Sequence, residues 1–180
     1  MKQAMGLIKE VTMIYVCPLS QVKASVKKLT PSHLISLLDP KSMIDTPPSL
    51  PRDRHLQLSV NDIAEPREGL ILPGRTHIRD ILDFVDGWDQ RAPMLIHCWA
   101  GISRSTATAY IALCHLNPGH ERNAARLMRA AARHAQPNPR LVAVADAMMG
   151  RKGRMISAVA EMGPGEFDME GDLFAMPAKL

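Results

Sequence analysis

The chain has 180 residues, 46% of them hydrophobic, 22% charged and only 4% aromatic. That balance excludes a disordered chain, a collagen and a disulfide miniprotein, and the length suits one ordinary domain rather than two. The formal charge is +4, but residues 161–180 hold five acids against Lys179 alone, which leaves +8 on residues 1–160. A basic body with an acidic end suits an anionic ligand, although surface Lys and Arg also serve solubility.

Cys17, Cys98 and Cys114 form an odd, widely spaced set with no CxxC pair. This is neither a disulfide framework nor a zinc site, and a reducing, cytoplasmic setting is the expectation. Near the N-terminus, Lys9 and Glu10 interrupt the apolar stretch, so residues 11–19 read as a buried strand rather than a signal peptide. Val16, where a small residue would be needed, argues against a lipoprotein site at Cys17. No run approaches the eighteen apolar residues of a membrane span, and no membrane association is expected.

In chain order, residues 12–16, 34–38, 56–60 and 94–98 are short apolar or alternating runs that predict strands. Val22, Val26 and Leu29 share one face of a short basic helix. Ile78, Ile81, Leu82, Val85 and Trp88 recur at helical spacing over 76–89, behind Thr76 as the expected cap. Residues 39–54, with four prolines after Asp39, and 62–74 predict loops. The second half shows no strand pattern. Helices are predicted over 104–116, 121–135, 139–149 and 154–162, with Asn138-Pro139 supplying a cap and a first-turn proline. Strands alternating with helices, then helices alone, predict an α/β fold: a single domain with a mostly parallel sheet of four or five strands and helices on both faces. Residues 163–180 are expected to be an acidic, flexible tail whose Leu173, Phe174 and Met176 could dock on a partner.

The most informative stretch is Ile96-His97-Cys98-Trp99-Ala100-Gly101-Ile102-Ser103-Arg104-Ser105-Thr106, between a predicted strand and a predicted helix. A bare Cys-x5-Arg spacing is weak. His before the cysteine, Gly three after it and Ser after the arginine make it specific. A loop closing between a strand end and a helix start turns successive N–H groups inward, which builds a nest for an anion. Trp99, Ala100, Gly101, Ile102 and Ser103 would contribute those groups. The same field favours a thiolate at Cys98, the nucleophilic form of cysteine. Arg104 can grip two phosphoryl oxygens in a bidentate fork, a geometry Lys cannot copy. Ser105 can donate to the sulfur. His97 is expected to bond backbone and hold the cysteine in place rather than act as acid or base.

The His97-Cys98-x-x-Gly101-x-x-Arg104-Ser105 pattern resembles the signature of the cysteine-dependent protein tyrosine phosphatases, in their compact dual-specificity-like branch. Further residues extend the resemblance over about 10–160. Asp62, 36 residues before Cys98, matches the position of the family's general acid, although Glu65 and Glu68 share its loop. Gln136-Pro137-Asn138-Pro139 is similar to a helix start whose Asn reaches back towards the active-site loop, though Asn138 also reads as a plain cap. The resemblance implies a phosphatase domain over 1–162 that works through a cysteinyl-phosphate, with no cofactor and no metal. The implied partners are a phosphorylated protein or a small phosphomonoester, with phosphate or sulfate able to sit in the loop; nucleic acid is not expected. A phosphoinositide, nucleotide or RNA 5′-phosphate substrate stays open, as does a phosphate-binding module without turnover. The absence of Lys between Cys98 and Arg104 weighs against the lipid class.

Overall fold

The computed structural model describes residues 11–180. Lys9 and Glu10, on which the N-terminal reading partly rests, lie outside the described residues. Five strands form one sheet in the order β3-β2-β4-β1-β5. They are β1 (Met13–Pro18), β2 (His33–Leu38), β3 (His55–Ser59), β4 (Met94–Cys98) and β5 (Phe174–Pro177). The first four run parallel, and β5 joins β1 antiparallel at the edge. The six helices are α1 (Val22–Leu29), α2 (Arg75–Asp86), α3 (Arg104–Leu116), α4 (Glu121–Ala131), α5 (Pro139–Met148) and α6 (Arg154–Met162).

Successive strand residues point to opposite faces, so each strand serves two cores. Ile14, Val16, Ile35, Leu37, Met94, Ile96 and Cys98 face the larger one, shared with α2 to α6. Cys17, Leu34 and Leu95 face a smaller one with Val22 of α1 and Leu50 of the proline-rich loop. Helices therefore cover both faces, but unequally. A sheet buried on both sides explains why β2 and β4 read as continuous apolar runs rather than alternating ones.

Three expectations change. Gly74, not Thr76, precedes α2, with His77 Nδ1 accepting the Gly74 N–H at 3.1 Å. Helix α4 stops at Ala131 and gives way to a turn closed by the Ala135 N–H on Ala132 O, and the Arg129 guanidinium pins this turn by donating to the carbonyls of Ala132, Arg133, Ala135 and Gly163. The expected flexible tail is the largest correction. Its last residues form β5, with Phe174 and Met176 buried in the main core. The Ala178 N–H bonds to Thr12 O at 2.8 Å, and Asn117 brackets the chain by donating to Ala178 O and accepting from Leu180 N–H. The side chains expected to dock on a partner dock on the chain's own sheet. Four residues ending in proline are too short for a legible strand pattern, and an edge position is where that proline is tolerated.

Candidate active site

The parallel pair β1–β4 ends with Pro18 beside Cys98, and the chain then turns through residues 99–103 into α3. The loop is held from outside by its carbonyls. Trp99 O accepts from Leu19 N–H, Ala100 O from Gly171 N–H, Ile102 O from Gln136 N–H and Ser103 O from Asn138 N–H, at 2.8–3.2 Å. With the carbonyls turned out, the N–H groups turn in. Among the described residues, those of Ala100 to Ser103 donate to no protein acceptor, so the loop is a nest for an anion. Gly101 makes the turn possible. Its φ is +70°, and a Cβ there would lie 2.7 Å from Pro18 N and 2.9 Å from Cys17 C.

Cys98 is buried at the end of β4, with its Sγ 3.0 Å from Ser105 Oγ in the first turn of α3. Arg104 is 7% exposed, and its Nη1 donates to Val60 O at 2.9 Å. Its buried Nε–H has no partner, and no carboxylate among the described residues lies within ion-pair distance of it. A buried cation without a counter-charge is costly, and a bound anion removes that cost.

Asp62 stands on the loop after β3, where its Oδ1 accepts from Ser103 Oγ at 2.7 Å and from Asn138 Nδ2 at 2.8 Å. Asn138 also caps α5, its Oδ1 accepting from the N–H groups of Arg140 and Leu141. The side chain is thus a cap that reaches Asp62 and Ile63 on the loop after β3, whereas the loop after Cys98 is met only by the Asn138 backbone N–H on Ser103 O. Glu65 and Glu68 are exposed on the same loop and have no bond to the site. Trp99, the first residue of the loop, is 59% exposed rather than packed into the scaffold.

His97 points to the face opposite Cys98 and is fully buried. Its Nδ1 lies 3.4 Å from Cys98 O, its Nε2 2.6 Å from Ser36 Oγ, and Ser36 Oγ lies 2.8 Å from His55 Nε2. His55 Nδ1 in turn lies 2.9 Å from Thr46 Oγ1. Burial pushes both imidazoles down to about 4, so they are neutral near pH 7. A carbonyl can only accept, which puts the His97 proton on Nδ1 and leaves Nε2 to accept from Ser36. Ser36 then accepts from His55 Nε2–H, and His55 Nδ1 accepts from Thr46. All four side chains are satisfied in one direction, ending at the carbonyl of Cys98. Ser36, His55 and Thr46 carry no sequence signal, because strand pairing alone sets Ser36 opposite His97.

Burial pushes Cys17 and Cys114 each up to about 12, which keeps them protonated. No group of three or more His, Cys, Asp or Glu is placed to hold a metal ion among the described residues. No helix among them is long and apolar enough to cross a membrane.

No protein-family model matches the sequence, and no curated protein matches it either. Solved structures do. The crystal structure of DUSP15 superposes with a TM-score of 0.58 at 19% identity, over 83% of this chain and 85% of that one. The fold is that of a dual-specificity phosphatase. The PTP-2 phosphatase of Cydia pomonella agrees, with a TM-score of 0.57 at 20% identity over 74% of this chain and 84% of its own. PTPMT1 in complex with PI(5)P gives 0.55 at 14% identity, over 81% and 90%. The shared architecture extends beyond the loop to the sheet and the helices behind it.

Proposed function

We propose that the protein is a cysteine-dependent phosphomonoester hydrolase acting on phosphorylated proteins. The observation that carries this reading is the Arg104 guanidinium, buried without a counter-charge at the mouth of α3 beside a loop of undonated N–H groups and the Cys98 sulfur. A core cysteine needs no such surroundings. The dual-specificity phosphatase fold supports the same assignment.

In the first step the Cys98 thiolate attacks phosphorus in line, and the P–O bond to the leaving group breaks. Asp62 gives its proton to the departing oxygen. One of its oxygens is occupied by Ser103 and Asn138, and the other has no partner among the described residues. The loop N–H groups and Arg104 hold the equatorial oxygens as charge builds on them. In the second step water attacks the cysteinyl-phosphate, Asp62 takes the water proton, and the P–S bond breaks. Ser105 donates to the sulfur as it leaves. Orthophosphate leaves, and the Cys98 thiolate and the Asp62 proton are restored. The positive field comes from the protein itself. A cytoplasmic location, inferred from unpaired cysteines, belongs to this proposal as well.

The test is hydrolysis of phosphotyrosine, phosphoserine and phosphothreonine peptides, a nucleoside monophosphate, an RNA 5′-phosphate and phosphoinositides in the presence of EDTA. Turnover of the peptides with loss of activity in Cys98→Ser is the expected result. Normal turnover in Cys98→Ser overturns the mechanism, and exclusive turnover of a lipid or nucleotide overturns the protein substrate.

A further inference from the structure

A cleft of about 300 Å³ opens beside the catalytic loop, lined by Leu19, Ser20, Trp99, Ala100, Met169 and Glu170. Two of these residues, Trp99 and Ala100, directly follow Cys98. At 3.8 Å per Cα step the cleft begins within about 8 Å of the nucleophile along the chain. The far wall is the segment leading into β5. It is tied to the loop by the Gly171 N–H on Ala100 O at 2.8 Å, and to the turn that precedes α1 by the Ser20 hydroxyl on the Glu170 carboxylate.

The lining has two characters. Trp99, Leu19 and Met169 are apolar, with Trp99 59% and Met169 85% exposed. Glu170 is a carboxylate paired with no Lys, Arg or His among the described residues. Asp168 and Asp172 flank it in sequence with no base between residues 163 and 172, while Glu166 is already paired with Arg133 at 3.0 Å. An apolar stem ending in a cation matches this lining: the methylenes lie on Met169 and Leu19, the charge meets Glu170, and the aromatic face of Trp99 attracts a cation as well. The neighbouring loop, with Arg104 Nε–H unpaired, has the opposite preference. Anion and cation positions thus stand side by side.

Resting on the phosphatase reading above, we infer that the cleft is a specificity subsite for a Lys or Arg side chain next to the phosphorylated residue of a peptide substrate, with Glu170 as its selecting charge. The same wall repels substrates that carry further negative charge around the phosphate, such as a polyphosphorylated headgroup. Tail and catalytic loop act as one recognition surface.

The experiment compares three phosphotyrosine peptides that differ only in the residues flanking the phosphotyrosine, which are Arg, Ala or Glu. Wild-type kcat/KM should favour the Arg peptide over the Glu peptide by about fivefold or more at low salt, as expected for an exposed charge pair and a like-charge clash together. The Arg-to-Glu ratio should fall towards one in Glu170→Gln and invert in Glu170→Lys. Taking the ratio within each variant cancels the amount of folded enzyme. A wild-type ratio near one, or a ratio unchanged in Glu170→Gln and Glu170→Lys, overturns the subsite while leaving the phosphatase reading intact. No turnover of any peptide overturns the protein-substrate reading on which it rests.

Discussion

Asn138 Nδ2 donates to Asp62 Oδ1 across 2.8 Å, although 76 residues separate the two. One side chain thus does two things: its oxygen caps α5 and its nitrogen fixes the acid expected to protonate the leaving group. Substitution can separate the two. Asn138→Ala should lose both, costing about 1 kcal/mol of stability for the cap. Asn138→Asp keeps a capping oxygen but sets a second carboxylate against Asp62. It should keep the cap yet unfold at lower urea than wild type at neutral pH, regain stability as pH falls and one carboxyl is protonated, and hydrolyse aryl phosphates with poor leaving groups more slowly. Equal losses across a leaving-group series would place the proton donor elsewhere, and Asp62→Ala read on the same series checks the assignment directly.

Arg104 and Ser105 should fail in different steps. Arg104→Lys keeps the charge but loses the fork, and a drop in kcat/KM of about 10²–10³ is expected. Ser105→Ala removes the one hydroxyl that meets the Cys98 sulfur among the described residues. It should slow breakdown of the cysteinyl-phosphate more than its formation, so rapid mixing should reveal a burst of leaving group. A Ser105→Ala variant without a burst and with wild-type kcat would remove the hydroxyl from the mechanism.

Gly101 has no tolerable replacement. Gly101→Ala places a methyl against the backbone of Cys17 and Pro18 while forcing a positive φ on an L side chain. A loss of about 2 kcal/mol or more in denaturant unfolding is expected. The contrast is Gly119→Ala, where φ is +85° but nothing lies within 4 Å of the new methyl, so the smaller cost of φ alone should appear.

Acid should destabilise the fold through His97 and His55. Both are held near 4 in the folded chain by burial, against about 6.5 when unfolded. Between those values the unfolded chain binds more protons, so stability rises with pH there. The contribution is complete above about pH 6.5 and lost as pH falls towards 4, by up to about 1.4 kcal/mol per pH unit for each imidazole. Urea denaturation from pH 4.5 to 7 reads the slope. His55→Gln should flatten it, and an unchanged slope would show that His55 does not hold its proton as the bond chain requires.

Strand β5 should contribute substantially to stability. Met176 is fully buried against the β1 side of the core, and Met176→Ala should cost about 2–4 kcal/mol. A substitution at exposed Phe167, 95% accessible, should change thermal stability little. Equal stability of Met176→Ala and wild type would mean that β5 is not bound to the sheet in solution.

The sequence alone was enough for what depends on local spacing. Residues 97–105 carry their chemistry within one turn of chain, so Cys98, Arg104 and Ser105 could be named together, and β4 and α3 begin and end as periodicity predicts. Asn138-Pro139 likewise states a helix start in two residues. What periodicity could not hold is long-range. Val60 O meeting Arg104, Ser36 meeting His97 and Asp62 meeting Ser103 span 41 to 61 residues; the second follows from strand register and the other two from loops that the sheet brings together, none of them from a local pattern. The acidic end shows the difference best. Its charge suggested a solvated tail, because composition weighs every residue of a segment alike. Folding does not: burial of Phe174 and Met176 on β1 and the bonds of Gly171 and Ala178 bring that segment back to the loop after Cys98.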